Sequence, residues 1–137
     1  MKKLLSMLAM AIVAMTCLTS CFYEEIDTFV EWGFAKDEYS EVTYGFETLL
    51  ASAEVIIDAF DTSFYGEFSD IGSFHSTIMP SMHGRDEAVK CAKRAADRAH
   101  SMIQAGHTCP VDMVFVVRIK YNSDKYETVW VHDYRRR

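Results

Sequence analysis

Apolar and polar side chains alternate from Ile26 to Ala35. Ile26, Thr28, Val30, Trp32 and Phe34 fall on one side, and Asp27, Glu31 and Gly33 on the other, which predicts a strand. The period then changes. Asp37 to Ser40 carries the polar residues expected before a helix, and Val42, Phe46, Leu49, Leu50, Ala53, Ile56, Ile57 and Phe60 cluster within roughly 120° of a helical wheel. A core-facing helix is therefore predicted from Glu41 to about Phe60, with Glu47, Glu54 and Asp58 along its margin. A second helix is predicted from Arg85 to Ala105. Its face of Ala88, Val89, Cys91, Ala92, Ala95, Ala96, Ala99, Met102 and Ile103 is small enough to allow close packing. Asp86 and Glu87 suit its first turn, and Gly106 supplies a stop.

Strands are predicted again over Pro110 to Tyr121 and Tyr126 to Asp133, joined by the turn Asn122-Ser123-Asp124-Lys125. Both faces of the former are apolar around Val114 and Val116, which makes it the central strand. The expected fold is α+β: a three-stranded antiparallel sheet with two helices packed on one face, in the order β-α-α-β-β. The acidic margin of the first helix would lie beside the basic face of the second. Trp32, Tyr126 and Trp130 could contribute to an exposed sheet face.

Between the helices, Asp61 to Gly84 is long for a structureless loop in a compact domain. It carries Phe64, Tyr65, Phe68, Phe74, His75 and His83 and is broken by Gly66, Gly72, Pro80 and Gly84. A binding loop is one reading. In the other, the phenylalanines cap the core, with an extra strand such as Phe74 to Met79. Tyr65, His75, His83 and Trp130 are the candidate partner-binding residues.

Before the first strand the pattern is of another kind. Lys2 and Lys3 precede an apolar run from Leu4 to Leu18, the length of a signal h-region and short of the roughly twenty residues a spanning helix needs. It ends in Leu18-Thr19-Ser20-Cys21. This motif resembles the lipobox of bacterial lipoproteins, and the resemblance covers only about the first 25 residues. It implies cleavage between Ser20 and Cys21, fatty acylation at Cys21, and anchoring by two or three acyl chains. The domain plan is then a signal peptide over residues 1–20, a lipidated tether over 21–25 and one small domain over 26–137. Glu24, Glu25 and Asp27 resemble the acidic stretches that follow the cysteine in some surface lipoproteins. The expected location is the cell envelope, on the outer membrane, with either leaflet open.

Of 137 residues, removal of the first 20 leaves 117, enough for one core, and takes the net charge from −6 to −8. A nucleic-acid partner, which wants a basic face, is not expected. Charge is uneven: from Phe22 to His75 thirteen acids face only Lys36, whereas from Ser76 onward eleven Lys and Arg face seven acids. Either the halves neutralise one another or a charged partner does so.

Once cleavage removes residues 1–20 and Cys21 is lipidated, Cys91 and Cys109 are the free thiols. A disulfide between them is disfavoured, because Cys91 lies about 21 Å from the end of its predicted helix and the 105–109 loop returns at most about 14 Å. Cys91 reads as a small buried hydrophobe. Cys91, His100, His107 and Cys109 match no common zinc spacing, so no metal or other cofactor is expected. Asp70, Ser73, His75, Ser76 and His83 contain the residue types of a hydrolytic triad, without a motif that orders them. The expected function is a non-enzymatic binding or accessory module with a protein or envelope-polymer partner. The alternatives are a small envelope enzyme or a structural subunit of an outer-membrane complex.

Overall fold

The computed structural model describes residues 25–45, 50–68 and 74–135. The signal segment, Ser20 and Cys21 lie outside the described residues. The first strand follows its alternation closely: β1, Glu25–Ala35, buries Thr28, Val30, Trp32 and Phe34 on one face. Its partner β4, Val114–Lys120, turns Phe115, Val117 and Ile119 to the same face, in antiparallel register Trp32 to Val117 and Phe34 to Phe115. The edge strand β5, Glu127–His132, pairs antiparallel with β4, with a bulge between Val117 and Arg118.

The α+β class and antiparallel sheet stand as expected, but among the described residues the sheet has five strands rather than three. Both additional strands pair with β1 on the side away from β4. Val42–Thr43 (β2) meets its C-terminal end, and Ser76–His83 (β3) its N-terminal part. The extra strand weighed for the 61–84 connection therefore exists, shifted to Ser76–His83. Its alternation is broken by Pro80 and by Ser81 at φ 56°, which is why it reads poorly as a strand.

The first helix also moves. α1 is Ala51–Phe68, not 41–60. Val42 and Thr43 are claimed by the sheet, and Gly45 at φ 95° takes a left-handed turn that a helix would not contain. At the other end Phe64 and Phe68 continue the apolar stripe into the core, as the core-capping reading expected; Phe74 does not, and is 82% exposed. The second helix, α2, is Arg85–Met102 and stops three residues early, where Ile103 becomes extended. The next strand, β4, likewise starts late, at Val114 rather than Pro110.

The core lies between the sheet and the two helices. Trp32 stacks on Phe64 at 4.5 Å between ring centroids, and Phe60 meets Phe115 at 4.3 Å. Each such fully buried side chain stabilises the fold by roughly 1.5–3 kcal/mol. The alanine face of α2 allows the helices to touch closely: Ser63 Oγ donates to the Ala95 carbonyl at 2.6 Å. The acid that meets the basic face of α2 is Glu67, outside the predicted margin of Glu47, Glu54 and Asp58; it pairs with Arg94 and, at 3.3 Å, with Arg98. Cys91 and Cys109 are both buried and free. No helix among the described residues is long and apolar enough to cross a membrane.

The opposite face of the sheet has its own cover. Val42 packs so tightly over Gly33 that a Cβ there would lie 2.4 Å from Val42 Cγ1. Arg118, 6% exposed in the middle of β4, donates from Nη2 to the Glu38 carbonyl at 3.1 Å and to that of Ser40. Its Nε donates to Thr128 Oγ1 at 3.0 Å, and Thr128 in turn donates to Glu38 O at 2.6 Å. One guanidinium thus latches residues 37–40 onto the sheet.

Candidate functional site

Two of the sequence-predicted residues come together and two stand apart. Asp61, on the buried side of α1, accepts a hydrogen bond from the Trp32 indole at 2.7 Å, and its carboxylate meets His75 Nδ1 at 2.8 Å. Tyr65, one turn further along α1, sets its ring edge-on to Trp32 at 5.3 Å, and its hydroxyl meets the backbone amides of Ser76 and His75. Burial pushes the Tyr65 hydroxyl pKa up, with Asp61 adding to the effect. Phe74 and His75 both hold left-handed backbone at φ 52° and 61°, costing of order 1 kcal/mol each. The His75 carbonyl accepts the Trp32 amide at 3.1 Å, so this turn extends the β1 ladder. The network ties α1 to the start of β3 through polar atoms at the edge of the core.

His83, at the far end of β3, is exposed, with Nε2 3.2 Å from Glu25. Trp130 does not face outward as an exposed sheet-face residue would. It turns toward α2, donating to Asp97 Oδ1 at 3.1 Å and packing on Phe60 at 5.3 Å. The β5 bulge sets this direction. Trp32, also expected on an open face, is fully buried; Tyr126 does lie on the outer face.

One concavity around titratable groups was missed by sequence reasoning. A cleft of about 360 Å³ lies between the end of α2, the 103–108 loop and residues 132–135. His100, His107 and His132 all line it. The His100 and His132 rings are 4.4 Å apart, each also against the Tyr134 ring, and His100 Nδ1 lies 2.6 Å from the Tyr134 hydroxyl. His107 Nε2 donates to the Ser52 carbonyl at 2.9 Å, which fixes a proton on that nitrogen. Among the described residues no group hydrogen-bonds the His132 ring nitrogens. Burial and the neighbouring His100 hold its pKa below the usual imidazole value, so it is neutral at neutral pH. Burial raises that of Tyr134 far above the usual phenol range.

This arrangement offers hydrogen-bonding imidazoles on an aromatic wall, a chemistry suited to polar side chains or hydroxyl-rich polymers. Its members come from positions 32 residues apart, and only their proximity in space makes a site. Among the described residues no group of three or more His, Cys, Asp or Glu is placed to hold a metal ion. No family model, curated protein or solved structure matches the chain.

Proposed function

We propose that this chain is a lipid-anchored envelope protein of the outer membrane, held by acyl chains on Cys21. Its ordered domain is a non-enzymatic binding or accessory module for a protein or envelope-polymer partner. The Leu18-Thr19-Ser20-Cys21 motif supports the location. The observation that carries the binding role is the cleft of His100, His132 and Tyr134, where a neutral imidazole without a hydrogen-bonding partner among the described residues faces open space beside aromatic rings. A ligand donor to His132 would satisfy that ring. Tyr65 and His75 are engaged in the α1–β3 network, and His83 is exposed at the far end of β3 as a second contact candidate.

A photo-crosslinker placed at Gln104, on the rim of the cleft, tests the role in intact cells. The expected result is a discrete adduct that disappears in His132→Ala, with none from the same probe at Lys93 on the outer face of α2. Equal labelling from both positions, or none from Gln104, overturns it. One observation favours the alternative of a small enzyme: the Asp61–His75 pair, which has the geometry of an oriented base. Loss of partner capture in His132→Ala with full capture in His75→Gln separates the two readings.

A further inference from the structure

The outer face of the sheet is covered over only part of its length. Near the C-terminal end of β1, Val42 and the latched 37–40 segment close it. Toward the N-terminal end the face is more open, with Tyr126 bordering the 38–44 cover and Phe29 beyond it. There Phe29, 44% exposed, and Tyr126, 36% exposed, flank the Lys120 ammonium, which lies 4.8 and 5.1 Å from the two ring centroids. A cleft of about 570 Å³ opens beside them, lined in part by Asp27, Asn122 and Asp124.

Covalent reach says what lies next to this half-face. Three residues separate Cys21 from Glu25, the first residue of β1, and that stretch spans at most about 14 Å. Phe29 is four residues further on, about 13 Å along the strand. The open half-face therefore stays within about 27 Å of the acylated residue, whereas β1 runs on for about 20 Å beyond Phe29 to Ala35. A lysine ammonium held over two aromatic rings is also the chemistry of a membrane interface, where rings and ammonium both sit at headgroup level.

We infer that Phe29, Lys120 and Tyr126 form a bilayer-contact surface, resting on the headgroups of the membrane that holds Cys21. This rests on the lipid-anchor reading above. The headgroup class follows from charge. Asp27 and Asp124 share the cleft with Lys120, and Glu31 follows on the same face, so the surface gains nothing from anionic lipid. A zwitterionic headgroup fits, its phosphate toward Lys120 and Asn122 and its amine toward the two aspartates.

The test uses the acylated protein extracted from membranes, its Cys21 modification checked by intact mass. It is reconstituted in nanodiscs of phosphatidylethanolamine and phosphatidylcholine containing a gadolinium-chelating lipid. The expected result is loss of the amide signals of Phe29, Lys120 and Tyr126, with those of Lys93, Gln104 and Asp133 retained. The pattern should persist when phosphatidylglycerol replaces part of the lipid, and vanish in Phe29→Ser/Tyr126→Ser with acylation unchanged. Equal losses at Lys93 and Gln104, or losses confined to Glu25 and Ile26, overturn the surface. So does a half-face open in nanodiscs but shielded in native membranes, which would mean a protein occupant. A chain with no acyl group on Cys21 overturns the anchor reading and the surface with it; an acylated chain with the wrong pattern overturns the surface alone.

Discussion

Replacing Arg118 with methionine keeps an apolar stem in the middle of β4 and removes the guanidinium that holds the 37–40 segment. The losses are the hydrogen bonds to the Glu38 and Ser40 carbonyls, a longer contact of 3.5 Å to Asp37 O, and the Nε bond to Thr128. A hydrogen bond to a charged group contributes roughly 1.5–3 kcal/mol. The freed carbonyls belong to an exposed segment and can turn to water, so their loss is partly recovered. Removing a buried charge also restores several kcal/mol of desolvation cost. The balance is a destabilisation of about 1–3 kcal/mol, read from the urea midpoint at unchanged slope. Most of the effect is local. Amides of Val42 and Thr43 should lose hydrogen-exchange protection, while those of Val116 and Val117 still exchange only by global unfolding. Arg118→Lys, which keeps the charge without the fork, should fall between. A methionine variant as stable as the parent, with β2 still protected, would refute the latch.

Three further outcomes follow from the same structure. Gly33→Ala should destabilise by about 1–3 kcal/mol through overpacking against Val42, and Val42→Ala in the same chain should restore part of that, read by urea unfolding. His132 has a folded pKa depressed below 6.5, so its stabilising contribution is present above that pH and is lost as pH falls through the folded value; the midpoint of thermal unfolding should drop less on acidification in His132→Asn. Glu31 has a folded pKa raised by burial, which outweighs Arg118 and the hydrogen bond from Tyr44, so its charge opposes folding at neutral pH. Glu31→Gln should therefore be more stable than the parent at pH 7, with the gain disappearing as pH falls through the folded pKa into the ordinary carboxylate range.

What the chain declares locally it declares well. The two-residue period of β1 and the helical stripe of α2 each depend on one face meeting a core, and both elements form within three residues of where the pattern places them. The start of α1 was not legible because Val42 is in phase with the helical stripe yet is taken by the outer face of the sheet, where Gly33 makes room for it. β3 was obscured by Pro80 and the left-handed Ser81, which break alternation while the strand still pairs with β1. Arg118 did leave a signal: a lone charge inside an otherwise apolar central strand asks for buried acceptors. The His100, His132 and Tyr134 cleft left none, since its geometry arises only when the end of α2 meets the end of β5.

The central claim is that this domain works while tethered by lipid at Cys21. Intact-mass spectrometry of the protein extracted from host membranes tests it most directly. The expected species begins at Cys21 and carries the excess mass of a diacylglyceryl group, with or without one further acyl chain, and the Cys21→Ala variant should leave the membrane fraction. A chain that retains Met1, or one whose Cys21 carries no added mass, would contradict it.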